Sequence, residues 1–520
     1  MPLKKFNKLL VANRGEIAIR ILRAASELKI STIAVYTYED RYSLHRYKAD
    51  ESYQIGVNSE PLKPYLDIEE IIRVAKTNGA DAVHPGYGFL SENVQLAKRC
   101  AEEGITFVGP RPDVMEGLGD KVASKVVARE CGVPLIPDSL IKLEKLSDAM
   151  SEGARIGFPV MLKASAGGGG RGMRVVKSEE EMSKAFTDAK SEAKKAFGDD
   201  TVFIEKYIDS PKHIEVQLLG DNEGNIVHLY ERDCSVQRRF QKVIEVAPSI
   251  LKQETREKLF DYALRLAKHV QYNNAGTVEF LVDAEENIYF IEVNPRIQVE
   301  HTITEEITGI DIVRSQILIA SGCPLTHAQI FLRSQADVQC NGFAIQCRIT
   351  TEDPENDFKP DFGTIVAYRN AGGFGIRLDE GSSYSGVKIS PFFDSMLVKV
   401  SAWSRTLKGA TKRMERVLQE FRIRGVKTNI PFLVNVMSNE EFQTGKATVG
   451  FIPQNPQLLI PKWGYDKDRG TKMVRYLAEL KVNGHPDIKA FDAEKTFRTP
   501  VVPAVSSQYS ISKRKQRLIN

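Results

Sequence analysis

Two glutamates face each other across a predicted β-hairpin. The strand Thr277–Val282 is followed by a turn and a second strand, Ile288–Glu292. With the turn centred between residues 285 and 286, Glu279 pairs with Glu292, and like charges in opposite positions destabilise a sheet. The pairing makes sense if a hard cation such as Mg²⁺ lies between the carboxylates. Two exposed glutamates on a solvated face are the alternative, but because both strands are otherwise apolar the pattern favours a metal site.

A run of alternating polar residues continues from the second strand. If the chain stays extended after Glu292, period-two geometry places one set of polar side chains on the same face. These are Glu292, Asn294, Arg296, Gln298 and Glu300. Such a face would offer metal ligands, an amide, a guanidinium for a small oxyanion and a carboxylate base. A plain amphipathic edge strand is the alternative, although it would have no need of an acid, an amide and an arginine so close to a metal.

A glycine-rich segment lies between two predicted strands. Residues Gly167–Gly172 match G-x-G-x-x-G, but the strand Met173–Val176 follows them, whereas a dinucleotide-binding fold needs a helix there. A glycine-rich strand–loop–strand is typical of a mobile flap whose backbone N–H groups can close over phosphates. Lys163 and Arg171 favour this role over the alternative, a flexible surface hairpin. The sequence contains no G-x-x-x-x-G-K-[ST] motif, which argues against a P-loop enzyme.

Composition excludes several classes of protein. The 520 residues carry 72 basic and 68 acidic side chains, so the net charge of +4 gives no nucleic-acid footprint. No apolar run approaches the roughly 18 residues that would span a membrane, and the N-terminus lacks the apolar stretch of a secretory signal. The six cysteines are scattered without a C-x-x-C pair, which is typical of a reducing compartment. We therefore expect a cytoplasmic enzyme with no nucleic-acid or membrane partner.

Secondary-structure signals divide the chain into unlike parts. Strands and helices alternate over the first hundred residues, with Asn13 and Ser91 as expected helix caps, which predicts a parallel sheet covered by helices. Strand-like segments dominate after about residue 115, and another strand-rich region begins near Gly342. From about residue 456 the chain is expected to form an extension and a tail.

Several motifs together resemble the ATP-grasp biotin carboxylase family. The segments that carry the resemblance are Lys163–Val176, Glu231–Ser235, Glu292–His301, His84–Asn93 and Phe393–Met396. They are long, occur in the family's order and cover about residues 5–455. Further segments resemble the pyruvate carboxylase type of this family, namely His301–Gly309, Gln346–Asp353 and Arg424–Asn429.

The resemblance implies an α/β (α+β) fold in several parts. Residues 1–117 would form an N-terminal parallel-sheet domain, and residues 118–335 an ATP-grasp domain with a mobile glycine-rich lid at about residues 134–205. Residues 336–455 would form a strand-rich C-terminal domain, followed by the extension and tail at residues 456–520.

The resemblance also implies a function, in which ATP activates bicarbonate as carboxyphosphate and the resulting CO₂ carboxylates N1′ of biotin. The implied ATP-binding residues are Lys121, Lys163, Gly168, Gly169, Gly170, Glu205, Lys206, Ile208, His213 and Gln237. The implied ligands of Mg²⁺ (or Mn²⁺) are Glu279, Glu292 and Asn294. Those for bicarbonate and biotin are Lys242, Arg296, Gln298, Val299 and Arg348.

Four of the implied residues would carry the catalysis: Glu300, Arg348, Arg296 and Lys242. Glu300 would remove the bicarbonate proton, and Arg348 would stabilise negative charge on the biotin ureido oxygen. Arg348 could instead be a salt bridge between domains. The sequence departs from the family's pattern at Phe240, where a histidine is usual, and this puts nucleotide affinity in doubt.

The biotin is expected to be carried by another domain or subunit, because no Met-Lys-Met triplet occurs in the sequence. The expected partners are a biotin carboxyl carrier protein or domain and a carboxyltransferase subunit, with the chain as a homodimer or higher oligomer. We expect either a separate subunit or the front part of a longer chain. The alternatives are a component of an acyl-CoA carboxylase, another ATP-grasp ligase, or an inactive scaffold.

Overall fold

The computed structural model describes residues 4–57, 60–119, 121–139, 143–164, 173–197, 200–461 and 469–484. The chain forms two compact units, Met1–Pro461 and Lys462–Asn520. The first unit holds the sheets and the cavity described below. Within the described part of the chain, no helix is both long and apolar enough to cross a membrane. All six cysteines are free thiols.

The N-terminal segment is a five-stranded parallel sheet with helices, as the alternating pattern predicts. The strand order is β3-β2-β1-β4-β5, and every pairing is parallel. The strands are β1 (Lys8–Val11), β2 (Ser31–Tyr36), β3 (Glu51–Gln54), β4 (Ala82–His84) and β5 (Thr106–Phe107). The helices are α1 (Gly15–Glu27), α2 (Leu44–Lys48), α3 (Ile68–Thr77) and α4 (Val94–Glu102).

Two helix caps differ from the sequence prediction. Helix α1 begins after Arg14, while Asn13 donates from its side-chain amide to the Pro85 and Tyr87 carbonyls at 2.6 and 2.8 Å. Asn13 therefore ties the start of α1 to the loop after β4. Helix α4 is capped by Asn93, whose side chain accepts from the Leu96 N–H, and not by Ser91.

A small antiparallel sheet follows, in the order β7-β6-β8. Its apolar side chains, such as Leu162 and Ile204, pack with the buried Met182 and Phe186 of helix α8. The elements of this part are α5 (Pro112–Gly119), α6 (Lys121–Glu130), α7 (Leu146–Ile156), β6 (Val160–Ala164), β7 (Met173–Val176), α8 (Glu179–Phe197) and β8 (Val202–Lys206).

The largest sheet has eight antiparallel strands in the order β13-β12-β9-β10-β11-β14-β19-β18. Its strands are β9 (Lys212–Gly220), β10 (Ile226–Arg238), β11 (Gln241–Ala247), β12 (Asn274–Val282), β13 (Ile288–Asn294), β14 (Phe343–Thr350), β18 (Ile376–Glu380) and β19 (Met396–Ser404). The pairing of β11 with β14, for example Val246 with Ile345, joins the central and C-terminal parts of the chain in one sheet.

Helices and short ribbons complete the structure around this sheet. The helices are α9 (Gln253–His269), α10 (His301–Thr308), α11 (Ile312–Ala320), α12 (Leu407–Glu420), α13 (Ile430–Met437), α14 (Glu440–Gln443) and α15 (Phe451–Gln454). The ribbons pair β15 (Glu352–Asp353) with β16 (Lys359–Pro360), and β17 (Ala367–Arg369) with β20 (Arg422–Arg424). Short 3₁₀ turns lie at Tyr38–Asp40, Lys63–Leu66, Gln335–Asp337, Pro354–Asn356 and Pro456–Leu459. The second unit contains helix α16 (Arg469–Asn483).

Candidate active site

Three glutamates lie side by side across neighbouring strands of the eight-stranded sheet. The predicted pairing of Glu279 with Glu292 is present between β12 and β13, and Glu215 of β9 pairs with Glu279 on its other side. Like charges in such a row repel one another. The arrangement persists in a folded protein only if cations neutralise it.

Lys242 of β11 supplies much of that neutralisation. Its ammonium lies 2.5 Å from Glu215 Oε2, 3.1 Å from Glu279 Oε1 and 2.8 Å from Glu300 Oε1. Burial lowers the pKa of Lys242, but these carboxylates more than offset that effect and hold the pKa well above its ordinary value. Arg232, fully buried on β10, pairs with Glu215 as a second cation.

The chain does not stay extended after Asn294. Strand β13 ends there, and Glu300 occupies the N-cap position of α10, so the expected single face of alternating residues is wrong beyond Asn294. The intervening loop, residues 295–300, nevertheless turns polar side chains towards the glutamates. Arg296 donates to Gln298 Oε1 at 2.8 Å and to Asn294 Oδ1 at 3.0 Å.

Glu300 lies between two cations at the end of this loop. Its carboxylate accepts from Lys242 at 2.8 Å and from Arg348 Nη2 at 2.9 Å, and only 1% of the residue is exposed. Burial raises the pKa of Glu300, but Lys242, Arg348 and Arg232 outweigh burial and lower the pKa well below its usual range. Arg348 also binds the buried Glu245 through Nε at 2.7 Å. Glu300 is therefore held as a carboxylate at neutral pH.

The residues around Glu279 fit a hard divalent cation. Glu279 and Glu292 offer carboxylate oxygens from opposite strands, and oxygen is the donor that Mg²⁺ prefers. Asn294 turns its amide nitrogen to Glu279 and its oxygen to Arg296, so its oxygen would have to leave Arg296 to join them. Glu279 accepts from Lys242, from Asn294 Nδ2 at 2.8 Å and from Gln298 Nε2 at 3.1 Å. With His213, four donors thus form hydrogen bonds to the Glu279 carboxylate. Such bonds stabilise its negative charge in the buried row of glutamates.

His213 connects the glutamates to the polar residues beside them. Its Nε2 lies 2.5 Å from Glu279 Oε2, and its Nδ1 lies 2.6 Å from Gln237 Nε2. Because the Gln237 amide donates, the Nδ1 atom of His213 accepts, and its Nε2 carries the hydrogen and donates a hydrogen bond to Glu279. His213, Glu215 and Glu279 also form a second group whose oxygen and nitrogen atoms could hold a metal ion.

A large cavity opens over this cluster. Its volume is about 2370 Å³, well above the few hundred cubic ångströms of an ordinary small-ligand pocket. The space can hold a nucleotide together with a second substrate. Phe240 lies at its edge, at the tip of the β10–β11 turn, with a φ of 65° and 62% of the residue exposed.

Comparisons with known proteins agree with this architecture. Three family models match consecutive parts of the chain. They are the biotin carboxylase N-terminal domain over residues 5–115, the carbamoyl-phosphate synthase L chain ATP binding domain over residues 120–328, and the biotin carboxylase C-terminal domain over residues 346–454. The solved biotin carboxylase domain dimer of the Hydrogenobacter thermophilus 2-oxoglutarate carboxylase, in complex with MgADP, ADP and bicarbonate, is 48% identical. Its TM-score is 0.81, and the match covers 88% of this chain and 99% of that chain. The chain belongs to the biotin carboxylase family.

Curated relatives of the chain are longer proteins. The pyruvate carboxylase of Bacillus subtilis (strain 168) is 56% identical over 490 residues, which are 94% of this chain and 42% of that protein. The chain thus spans less than half the length of this curated relative. A solved biotin carboxylase subunit of pyruvate carboxylase is 48% identical with a TM-score of 0.77, and the match covers 88% of this chain and all of that one. The family, the ATP-dependent ligase class and the fold class predicted from the motifs are confirmed.

Most of the residues predicted for a biotin carboxylase site line the cavity described above. They are Lys163, Glu205, Lys206, Ile208, His213, Gln237, Lys242, Glu279, Glu292, Asn294, Arg296, Gln298, Val299, Glu300 and Arg348. Gly168, Gly169 and Gly170 lie outside the described residues, as does the side chain of Lys121, the first residue of α6. The roles of all these residues stay predictions.

Contacts of two residues predicted to bind ATP, Lys163 and Lys206, qualify those predictions. Lys163 binds the Glu205 carboxylate directly, and Lys125 binds it at 2.9 Å, so Glu205 is paired with two lysines. The Lys206 ammonium donates to the Gly157 and Phe158 carbonyls at 2.8 and 3.2 Å. Lys206 therefore holds the start of β6 with its side chain, and its backbone remains the part that can meet a ligand.

Sequence reasoning missed several charged residues of the cluster. Glu215, Arg232 and Glu245 are fully buried within it, and Lys125 reaches Glu205 from α6. A signal for Glu215 was present, since His213, Glu215 and Gln217 alternate with apolar residues along one strand. The position of Lys125 one helical turn after Lys121 was a second signal.

Proposed function

We propose that the chain carboxylates N1′ of biotin in a reaction that consumes ATP and bicarbonate. This is the first half-reaction of a biotin-dependent carboxylase, with pyruvate as the final acceptor of the carboxyl group. The observation that carries the proposal is the Glu300 carboxylate, which is held ionised between Lys242 and Arg348 beside the paired glutamates of β12 and β13. The cavity thus holds a carboxylate base, two cations beside it and a pair of carboxylates that could bind a metal ion. This combination suits a reaction in which a nucleotide activates a small oxyanion.

ATP would occupy the side of the cavity formed by β6 and β8. Lys163 and Lys121 would meet its phosphates, and the Glu205–Ile208 segment with His213 and Gln237 would hold the rest. In the structure Lys163 binds Glu205, so the phosphates of ATP would have to draw the Lys163 ammonium away from the Glu205 carboxylate. Glycines 168–170 would close over the phosphates. Mg²⁺, held by Glu279, Glu292 and Asn294, would offset charge on the transferring phosphoryl group.

Bicarbonate would lie against the 295–300 loop. Arg296, Gln298, the Val299 N–H and Lys242 would hold its oxygens, and Glu300 would take its proton. An anion that draws Lys242 towards itself weakens the lysine's hold on Glu300, so the pKa of Glu300 rises when the substrate needs a base. Arg348 would then stabilise the charge that develops on the ureido oxygen of biotin.

The proposal includes partners that the chain does not itself provide. Biotin would arrive on a biotin carboxyl carrier domain or protein, and a carboxyltransferase would use the product. The boundaries at residues 117, 335 and 455 would separate the N-terminal, ATP-grasp, C-terminal and extension parts. We also propose a homodimer, supported by the dimer described for the 2-oxoglutarate carboxylase domain. The six free thiols support the cytoplasmic location.

A second acceptor deserves a direct test because one closely similar structure comes from a 2-oxoglutarate carboxylase. This chain would perform only the step before the acceptor is chosen. Adding a carrier and carboxyltransferase with pyruvate, 2-oxoglutarate or an acyl-CoA would identify the acceptor.

The test of the first half-reaction uses the chain alone. Phosphate release from ATP and Mg²⁺ should require bicarbonate and should accelerate when free biotin is added, with carboxybiotin as the trapped product. Equal phosphate release in bicarbonate-free buffer would overturn the proposal. Bicarbonate dependence without any effect of biotin would favour another ATP-grasp ligase.

A further inference from the structure

The loop at residues 295–300 lies between a strand and a helix, so its peptide groups are bonded by side chains and by irregular backbone contacts, such as the long bond of 3.3 Å from the His301 N–H to the Gln298 carbonyl. Two of its carbonyls have fully buried side chains as donors. His301 donates from Nδ1 to the Gln298 carbonyl at 2.7 Å, and Lys399 of β19 donates to the Val299 carbonyl at 2.9 Å. Both donor residues are 0% exposed. The two bonds hold two consecutive peptide units of the loop.

These bonds fix the directions of the groups at the other ends of the peptide units. Both peptides are trans, and in a trans peptide the C=O and the N–H point in opposite directions. Because the Gln298 carbonyl is held towards His301, the Val299 N–H points away from His301. Val299 lines the cavity. The bond from Lys399 fixes the next unit, which carries the backbone N–H of Glu300.

Lys399 is itself held in one place. Its ammonium lies 3.0 Å from Glu16 Oε2, and the hydroxyl of Tyr87 donates to the other oxygen of Glu16. A buried ammonium is very costly without such partners. Glu16 belongs to α1 and Tyr87 to the loop after β4. Lys399 therefore links the Val299 carbonyl to the N-terminal segment, alongside the ion pair of Arg296 with Glu92 at 3.3 Å and the packing of Ile297 in the same core cluster as Ile17.

His301 remains an uncharged donor. Burial lowers the pKa of His301 to about 3, although Glu305 raises it. A neutral ring that donates from Nδ1 keeps its lone pair on Nε2, and that nitrogen has no hydrogen-bond partner. The Nδ1 atom is thus the one through which the His301 side chain contacts the loop.

We propose that Lys399 and His301 are positioning residues for the anion pocket: they orient the peptide units on either side of Val299, and Glu16 is the charge partner that holds Lys399. The inference rests on the proposed function, since it identifies the residues that fix the backbone geometry of the pocket where bicarbonate would bind. Neither residue touches the anion. Their loss should weaken bicarbonate binding and leave ATP binding in place.

The first test replaces Lys399 by methionine, which keeps the length of the side chain. Steady-state phosphate release is measured while bicarbonate and ATP are varied separately. We expect the KM for bicarbonate to rise about ten- to a hundredfold, the size of a lost hydrogen bond to a charged donor, with the KM for ATP close to that of the wild type. Thermal unfolding is recorded in parallel.

Lys399→Met removes the cation beside the buried Glu16 carboxylate and leaves it the hydroxyl of Tyr87, so this variant could fail to fold. The double variant Glu16→Gln/Lys399→Met removes both charges. It should regain stability and still show the raised KM for bicarbonate. Recovery of both properties in the double variant would mean that only charge balance mattered, and would overturn the proposal.

Variants of His301 provide an independent comparison. Asparagine can place an N–H close to the position of Nδ1, whereas leucine cannot. His301→Asn should keep a lower KM for bicarbonate than His301→Leu at similar thermal stability. Equal values for the two variants would contradict the orienting role of the Nδ1 bond.

The matched control is Arg256→Met. Arg256 pairs with the buried Glu231 at 2.6 Å, an ion pair that takes no part in the loop contacts described above. This variant should lose stability without a change in the KM for bicarbonate, and an equal rise in that KM would refute the proposal. If the wild type itself shows no bicarbonate-dependent phosphate release, the proposed function fails. Unchanged bicarbonate binding in the variants of an active wild type refutes only the inference.

Discussion

Replacing Glu300 by glutamine removes a charge and a base from the site while keeping the shape of the side chain. In the structure the carboxylate accepts from Lys242 at 2.8 Å and from Arg348 at 2.9 Å, and it is almost completely buried. The amide oxygen of glutamine can still accept one of these bonds. It cannot take a proton from bicarbonate at neutral pH.

The cost to stability can be worked out from the partners that remain. Breaking a buried ion pair by removing one member costs about 3–5 kcal/mol when the other charge is left alone. Here Lys242 keeps Glu215 and Glu279, and Arg348 keeps Glu245. The loss should therefore be closer to that of one hydrogen bond to a charged group, about 1.5–3 kcal/mol. Loss of a general base should lower the rate about 10²–10⁴-fold.

The assay measures phosphate release, carboxybiotin yield and ATP-analogue affinity for Glu300→Gln beside Glu215→Gln. The control variant removes another carboxylate from Lys242, together with one that pairs with the buried Arg232, but none from Arg348. Only Glu300→Gln should lose both products while retaining nucleotide binding, and Glu215→Gln should lose much less activity. Comparable losses in the two variants would show that Glu300 serves the charge balance of Lys242 and not as the base.

Three further predictions concern other parts of the cavity. Arg348→Ala should retain part of the bicarbonate-dependent phosphate release but lose carboxybiotin, and equal loss of both signals would contradict the separate role of Arg348. Phe240→His should tighten binding of a non-hydrolysable ATP analogue in calorimetry by about 0.5–1.5 kcal/mol, the worth of one hydrogen bond, and weaker binding would mean that the pocket is adapted to phenylalanine. Burial raises the pKa of Asp40, but its bonds from Arg14 at 2.6 and 2.7 Å outweigh burial and lower the pKa well below its usual value. The carboxylate thus stabilises the fold fully above about pH 4 and loses this effect as pH falls further. Asp40→Asn should therefore lower the free energy of unfolding by about 3 kcal/mol, measured by denaturant unfolding at neutral pH. The difference in free energy of unfolding between this variant and the wild type should shrink as the solution is made acidic.

The pairing of Glu279 with Glu292 was predicted by a local count and is present, but the count missed how it arises. Next to the turn the strands pair about residue 285, as Phe280 does with Phe290, and an irregularity between Glu279 and Phe280 shifts the register by one residue and brings the two glutamates opposite each other. The loop after Asn294 was not predictable in the same way. Val293, Pro295, Ile297 and Val299 keep the period of a strand, and part of what holds the turn, the bond from Lys399, lies far away in sequence.

The distant partners explain what local reasoning could not see. Lys399 holds the loop from a position 100 residues further along the chain. Glu245 lies between the apolar Ile244 and Val246 of β11, and its partner Arg348 lies 103 residues away. A buried acid on a strand shows that something must neutralise it, but only the order of strands in the sheet shows which residue does so.

The continuous eight-stranded sheet has a consequence for how the chain can be divided. The β11–β14 pairing runs between segments that two different family models match. A fragment that ends near residue 335 would therefore leave β11 as a bare edge, and unpaired edges of this kind invite aggregation. Recombination between carboxylases should succeed when both segments are inherited together, or when the incoming C-terminal part restores an edge-matching strand. Limited proteolysis of the connection should likewise leave the two pieces associated rather than release them.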